Sequence, residues 1–228
     1  PRLRDALESL QGALRAEQEL DPSRLEGRFR IATTDYAELT VLAGFSDSLA
    51  RSAPGVSLIS QAFARDAPEL LRSTSLDLAI GVYFTLPADI QRAKLLHEDF
   101  VCVLRRGHPA AKRRLTLKRY AGLEHVLISS RGDDRGVVDL YLEREGLKRR
   151  VVRTVASFAA APYLVANSDY VLTMPKRVAA WLAPQLDLVI REPPVPLQGF
   201  DLELIWHRRS EHDGAHRWLR EQLLAVDG

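Results

Sequence analysis

Residues 28–36 read RFRIATTDY and give the clearest indication of the fold. Polar and apolar side chains alternate from Arg28 to Ala32, which predicts a half-buried β-strand that ends at Thr33-Thr34-Asp35. Apolar residues then recur at helical spacing between Leu39 and Leu49, so a helix follows the strand directly. This order of strand, polar turn and helix is the first part of a strand-helix-strand unit with parallel strands.

The same order of elements recurs along the chain. Residues 76–81 read LDLAIG, a nearly continuous apolar run that is typical of a central strand in a parallel sheet. A second series of helices and strands begins near Leu117 and extends to about Ile190. We therefore predict an α/β fold made of two units, with a late return segment that ends in a helix from Trp218 to Leu224.

Two patterns near the N-terminus predict self-association. Leu3, Leu7, Leu10 and Leu14 follow one another at intervals of four, three and four residues, the spacing of a heptad seam on an oligomerisation helix. In the helix after Asp35, a stripe of small residues has the same spacing and would allow a second subunit to approach closely. That stripe consists of Ala37, Val41, Gly44 and Ser48. We predict a homo-oligomer, either a dimer or a tetramer.

Composition excludes several classes of protein. The 228 residues are 46% hydrophobic and 27% charged, and no apolar run approaches the roughly 18 residues of a membrane span. The net charge of +2 is too small for the field of the whole molecule to hold nucleic acid. Cys102 is the only cysteine, so no disulfide forms within one chain, and a reducing, cytoplasmic compartment is predicted. The chain starts at Pro1 with neither an initiator Met nor a signal peptide, which predicts either a piece of a longer protein or a processed product.

Signatures of catalysis and of metal binding were sought. The chain contains no G-x-S-x-G elbow, no Walker A loop and no G-x-G-x-x-G fingerprint. His212 and His216 are four residues apart, but Gly214 lies between them and no third ligand is evident, so Asp213 is predicted to cap a helix there instead. We predict no enzymatic activity, no metal and no cofactor.

Basic residues concentrate in the second half of the chain. They occur without interleaved aromatic residues, which favours a solvated face over a nucleic-acid groove. The clusters are Arg105-Arg106, Lys112-Arg113-Arg114, Lys118-Arg119 and Lys148-Arg149-Arg150.

Several segments in order resemble one family. The runs 29–36 and 76–81 are followed by Glu98-Asp99-Phe100-Val101-Cys102-Val103 with Gly107-His108-Pro109, and then by residues 165–171 with Met174-Pro175-Lys176-Arg177. Together they resemble the effector-binding domain of LysR-type transcriptional regulators over residues 28–226, while residues 1–20 resemble the linker helix of that family. The turn Asn167-Ser168-Asp169 resembles the corresponding turn in the subgroup of these regulators that responds to aromatic compounds.

The resemblance implies a two-lobed fold of the type II periplasmic-binding-protein kind, preceded by the linker helix, with a small co-inducer held between the lobes. It also implies that DNA is bound only through a winged helix-turn-helix domain that is missing from this chain. We assign residues 1–26 to the linker helix, residues 27–100 and 197–228 to lobe I, and residues 101–196 to lobe II. The crossings are expected near residues 101–105 and 194–201.

The predicted effector site lies at the ends of strands, where open α/β sheets bind their ligands. Thr33 and Thr34 stand at the carboxyl end of the first strand, next to a helix N-terminus that favours an anion. Asp35 is expected to join them, and the alternative is that Thr34 or Asp35 only caps that helix. Ser129, Ser130, Ser157 and Phe158 end strands of the second lobe and are expected to form the opposite wall. Tyr36, Tyr83 and Thr173 complete the predicted polar lining.

Aromatic residues near the strand ends bear on the kind of effector. Phe63, Phe84 and Phe158 either enclose an aromatic ring or belong to the core. We therefore predict a small, aromatic or carboxylate-bearing effector. The main alternative is a periplasmic-type solute-binding protein for transport, and a more distant one is an enzyme of this fold, such as a prephenate dehydratase-like domain.

Overall fold

A computed structural model describes residues 20–63 and 66–226. The predicted heptad seam of Leu3, Leu7, Leu10 and Leu14 lies outside the described residues. The first element of the described residues is a 3-10 turn over Pro22–Arg24, in which the Asp21 carboxylate accepts a hydrogen bond from the backbone N–H of Ser23.

Strands and helices alternate over most of the described chain, which confirms the predicted α/β class. The strands are β1 (Glu26–Thr33), β2 (Gly55–Ala62), β3 (Leu78–Gly81), β4 (Ile90–Glu98), β5 (Phe100–Arg105), β6 (Glu124–Ile128), β7 (Arg150–Val155), β8 (Tyr170–Pro175), β9 (Leu188–Arg191) and β10 (Phe200–His207). The first helix, α1, is α-helical over Asp35–Ala37, π-helical over Glu38–Leu42 and α-helical again over Ala43–Ser52. The other α-helices are α2 (Ala67–Arg72), α3 (Leu117–Ala121), α4 (Val137–Arg144), α5 (Ala161–Ala166), α6 (Lys176–Leu182) and α7 (Gly214–Leu224).

The described residues form two compact units. Unit I contains the chain up to Thr33, Val41–Leu95 and the chain from Glu203 onward, while unit II contains Thr34–Thr40 and Leu96–Leu202. The chain passes from unit I to unit II after Leu95 and returns after Leu202, whereas the sequence indicates boundaries at residues 100 and 196. Strands β4 and β10 continue through these passages, so the alternation of their side chains contains no break that could mark them.

Unit I is built on a sheet with the strand order β2-β1-β3-β10-β4. The pairs β1/β2 and β1/β3 are parallel, and β10 runs antiparallel to β3. All four residues of β3 are buried, as expected of a central strand. Helix α7 is tied to this sheet, because the Asp213 carboxylate caps it by accepting from the His216 N–H and the His216 ring donates to the Asp77 carbonyl at 3.0 Å.

Unit II is built on a sheet with the strand order β7-β6-β8-β5-β9. β6 runs parallel to β7 and β8, whereas β5 runs antiparallel to β8 and β9. Its core includes an ion pair, since Arg149 donates to both carboxylate oxygens of Asp139 at 2.8 and 2.7 Å with its side chain 2% exposed. His125 lies beside it, fully buried, and donates through Nε2 to the Tyr120 carbonyl at 2.9 Å.

Candidate functional site

The carboxyl end of the parallel strands of unit I collects three predicted site residues. Thr33 is the last residue of β1 and pairs with Ala62, the last residue of β2. Phe63 follows β2, and its ring centroid lies 6.1 Å from that of Tyr83, which follows β3. The tertiary structure therefore brings Thr33 and two aromatic rings to the carboxyl ends of neighbouring strands.

Gly81 makes room for the two rings. A Cβ atom at this position would lie 2.5 Å from Phe63 Cε2 and 3.2 Å from Tyr83 Cζ, closer than carbon atoms approach one another. The absence of a side chain at the last residue of β3 thus permits the aromatic pair to pack against the strand end.

The remaining predicted residues of this edge differ in exposure. Thr33 is only 4% exposed, so its hydroxyl faces the interior more than the solvent. Phe84 is 85% exposed, which is unusual for a large apolar ring. An apolar ring held in solvent at the edge of a sheet is available to a ligand or partner.

Asp35 holds a turn of unit II. Its Oδ2 accepts hydrogen bonds from Ser157 Oγ at 2.7 Å and from the Ala159 backbone N–H at 3.0 Å. Ser157 Oγ in turn accepts from the Ala160 N–H at 3.0 Å. The residue at the N-cap of α1 is Thr34, so the alternative in which Asp35 caps its own helix is wrong. Asp35 and Ser157 are therefore hydrogen-bonded to each other, and a ligand that binds either side chain must compete with this bond or use its remaining lone pairs.

Tyr36 is buried rather than available to a ligand. Its side chain is 2% exposed, and its hydroxyl donates to Glu98 Oε2 at 2.6 Å. Burial, the hydrogen bond to Glu98 and the charge of that carboxylate hold the pKa of Tyr36 well above its usual value, so the phenol stays protonated and remains a donor. Tyr36 is thereby an anchor of Thr34–Thr40 within unit II.

Glu98 is a buried carboxylate to which the sequence assigned no role of its own. It is 2% exposed, and its Oε1 accepts from the backbone N–H groups of Asp99 at 3.0 Å and Arg177 at 3.4 Å. Arg177 Nε also lies 3.6 Å from Oε2. A buried carboxylate is retained where it is paired and hydrogen-bonded. In the sequence, Glu98 stood out only as part of the Glu98-Asp99 segment that carries the family resemblance.

Aromatic rings surround Tyr36 within unit II. Its ring centroid lies 5.5 Å from that of Phe158 and 5.7 Å from that of Phe200, which in turn lies 5.4 Å from Phe100. Phe158 is half-buried. Such edge-to-face and tilted contacts stabilise a cluster, so the core alternative for Phe158 is the one that these contacts support.

The other predicted residues of unit II fall into two environments. Ser129 lies beside the end of β7, since its N–H donates to the Val155 carbonyl at 2.8 Å, and its hydroxyl accepts from the Asp133 N–H at 2.7 Å, while Ser130 is exposed. Thr173 instead faces the interior, where its hydroxyl lies 2.6 Å from the Tyr120 hydroxyl and 3.3 Å from Cys102 Sγ. Burial raises the pKa of Cys102 to about 11, so this thiol is not reactive.

The predicted oligomer stripe is divided between the interior and the surface. Ala37 and Val41 are 0% and 2% exposed, so their side chains are covered by the chain itself. Gly44 is exposed and Ser48 is half-buried. Only the second half of the stripe is therefore accessible to another subunit.

Two further features concern metal binding and membrane spans. Among residues 20–63 and 66–226, no group of three or more His, Cys, Asp or Glu side chains is arranged to hold a metal ion. In the same part of the chain, no helix is both long enough and apolar enough to cross a bilayer.

A sheet edge with a hydroxyl and aromatic rings, on mixed sheets flanked by helices, is typical of small-molecule-binding α/β domains. The LysR substrate binding domain model matches residues 22–228. The regulator SyrM of Rhizobium meliloti is 32% identical over 227 residues, which cover 98% of this chain and 70% of SyrM.

Solved structures agree with this relationship. The crystal structure of the probable transcriptional regulator PA0477 from Pseudomonas aeruginosa has a TM-score of 0.85 and 32% identity, covering 97% of this chain and 74% of that one. The regulatory domain of MexT, a transcriptional activator in the same organism, has a TM-score of 0.75 and 31% identity, covering 86% of this chain and 96% of that domain. The chain belongs to the LysR substrate-binding domain family, and its fold is the predicted type II periplasmic-binding-like fold.

Proposed function

We propose that this chain is the sensory part of a transcriptional regulator and binds a small effector at the carboxyl edge of the parallel strands of unit I. The observation that carries the proposal is the position of Thr33, Phe63 and Tyr83 at the carboxyl ends of β1, β2 and β3, with the exposed Phe84 next to Tyr83 in the chain. Membership of a family whose similar proteins are regulators supports it.

The effector class follows from the side chains. Aromatic rings at the edge favour stacking or edge-to-face contact with a planar ligand, which is worth about 0.5–1.5 kcal/mol per pair. The Thr33 hydroxyl can donate one hydrogen bond and accept others, so it can orient a carboxylate or a hydroxyl of the ligand. We propose an aromatic acid. Such an effector binds one conformation of the protein more tightly than the other, and only that difference in affinity changes the output.

The first test is a thermal-shift screen of the protein against benzoate, salicylate and related aromatic acids, followed by titration calorimetry with any acid that raises the midpoint. A ligand that binds only the native state stabilises it by mass action. We expect Phe84→Ala to lower the affinity by up to about tenfold, because one aromatic contact is lost. Thr33→Val is expected to weaken binding as well, because a hydrogen bond is lost.

Thr154→Val is the control for Thr33→Val, since Thr154 is an exposed strand residue of unit II. Equal affinities of Thr33→Val, Phe84→Ala and the wild type for a stabilising acid would remove the proposed edge from the effector site. A full screen without a stabilising acid would instead contradict the aromatic-acid class.

We further propose that the regulator acts as a cytoplasmic homo-oligomer, that residues 1–20 contribute its linker helix, and that DNA is bound by a separate domain of the full-length protein rather than by this chain. The heptad spacing of the N-terminal leucines supports the linker. Leu7→Asp and Leu10→Asp are expected to lower the mass measured by light scattering. An unchanged mass in both variants would place the interface elsewhere and would leave the effector proposal untouched.

A further inference from the structure

A cavity in unit II is lined by cationic side chains. It has a volume of about 690 Å³ and lies between residues 111–117, which precede and begin α3, and residues 191–194, which end and follow β9. Lys112, Arg113, Arg114 and Arg191 line it, and Glu192 is its only acidic lining residue. Its volume falls in the range of small-molecule sites, roughly 300–1,000 Å³.

The charge of this region is not balanced within the chain. Residues 100–123 contain seven Lys and Arg residues and no Asp or Glu. Arg105 pairs with Asp169 and Arg106 pairs with Asp187. Within the described ranges, Lys112, Arg113 and Arg114 have no carboxylate within ion-pair distance. Like charges that converge without counter-charges repel one another, and an anion in the cavity would relieve that repulsion.

Backbone contacts hold the cavity in shape. Arg191 donates through Nη2 to the Ala111 carbonyl at 2.9 Å, which ties residues 111–117 to the end of β9. Arg119 donates through Nη1 to the Arg114 carbonyl at 3.0 Å, and Thr116 Oγ1 caps α3 by accepting from the Arg119 N–H. Among residues 20–63 and 66–226, the guanidinium of Arg191 donates only to backbone carbonyls, and no carboxylate lies within ion-pair distance of it.

The rest of the lining is apolar. Leu115, Leu117, Pro193 and Pro194 supply aliphatic walls beside the cations. Arginine forks recognise planar or tetrahedral oxyanions, and aliphatic walls favour a hydrocarbon body. A bare inorganic ion would use only half of this surface, whereas an organic dianion with an apolar body would use both halves.

We propose that this cavity is a second ligand site, separate from the effector edge of unit I, and that it binds an organic dianion such as a phosphate monoester with an apolar body. Arg113, Arg114 and Arg191 bind the anionic group, and Leu115, Leu117 and the two prolines contact the hydrocarbon. The regulator would then respond to a phosphorylated or dianionic metabolite in addition to its effector.

The test is a titration of the ¹⁵N-labelled protein with 2-naphthyl phosphate, followed through the amide shifts of residues 111–117. 2-Naphthol and inorganic phosphate supply the two halves of the probe separately. We expect 2-naphthyl phosphate to shift these amides and to bind about tenfold more tightly than either half, because each half makes only part of the contacts.

The double variant Arg113→Ala/Arg114→Ala is expected to weaken binding of 2-naphthyl phosphate by about tenfold or more, through the loss of charge-assisted hydrogen bonds. The control is Lys118→Ala/Arg153→Ala, which removes the same charge from exposed residues outside the cavity and is expected to change the affinity less than about twofold. An equal loss in both variants, or shifts confined to other parts of the protein, would overturn the site. Because the readout is local to residues 111–117, the result is independent of the effector proposal.

Discussion

Tyr36→Phe removes a single hydroxyl from the interior of unit II. That hydroxyl donates at 2.6 Å to Glu98 Oε2, and both side chains are 2% exposed. After the change, Oε1 of Glu98 still accepts from two backbone N–H groups, but Oε2 retains only Arg177 Nε at 3.6 Å, beyond hydrogen-bond distance.

A hydrogen bond to a charged group contributes about 1.5–3 kcal/mol, and a buried acceptor left without its donor costs a similar amount. We therefore expect Tyr36→Phe to lower the free energy of unfolding by about 2 kcal/mol, although the ring and its aromatic contacts remain. The assay is equilibrium unfolding in urea, monitored by tryptophan fluorescence and by circular dichroism.

The matched control is Tyr163→Phe, because Tyr163 is 54% exposed and its loss of a hydroxyl should change stability by less than about 0.5 kcal/mol. A double-mutant cycle with Glu98→Gln measures the coupling of the two side chains directly. Equal stabilities of Tyr36→Phe and Tyr163→Phe would show that the Tyr36–Glu98 bond does not anchor Thr34–Thr40.

Three further predictions concern other parts of the molecule. Asp35→Ala removes the acceptor of Ser157 Oγ and of the Ala159 N–H and is expected to lower the free energy of unfolding by about 2 kcal/mol. The control Asp47→Ala, at an exposed residue, should lower it by less than about 0.5 kcal/mol. Similar losses in both variants would show that the two hydrogen bonds of Asp35 do not stabilise the fold. Gly81→Ala is expected to displace the Phe63 ring and to lower the free energy of unfolding by about 1 kcal/mol. Gly44→Ala, whose new Cβ would meet only Val226 at 3.9 Å, should raise it by up to about 1 kcal/mol. Urea unfolding of both variants checks the two signs. Burial and then the charge of Arg149 lower the pKa of His125 from 6.5 to about 4, so the neutral ring stabilises the fold above pH 6.5. This contribution to the free energy of unfolding, roughly 3 kcal/mol, is lost as the pH falls toward 4. The free energy of unfolding of His125→Gln should therefore depend less on pH between 6.5 and 4, and parallel profiles of the variant and the wild type would refute the assignment.

Local patterns in the sequence were sufficient for the fold class, whereas the family was predicted from the resemblance of several segments in order. The alternation before Thr33, the apolar run at residues 76–81 and the helical spacing after Asp35 each reflect one element and its nearest neighbours in the chain. These periodicities arise from the geometry of strands and helices, so they can be read without tertiary information. Asp213 as the cap of α7 was predicted from the same local logic.

The position of Thr33 at the carboxyl end of β1 was also within reach of local reasoning, because the alternation of side chains stops there. The roles of Asp35, Tyr36 and Thr173 were not. Asp35 bonds to Ser157, Tyr36 to Glu98, and Thr173 to Tyr120, and every one of these partners is distant along the chain.

The sequence by itself determined the order of strands and helices and the α/β class, because hydrophobic period is a property of neighbouring residues. Its segments in order also resembled the family to which the chain belongs. Only the tertiary structure decided which polar side chains are consumed by the fold and which cations lack a counter-charge. Hydrogen bonds and ion pairs form across long sequence separations at distances of about 3 Å, and nothing in a linear pattern reports which groups come that close.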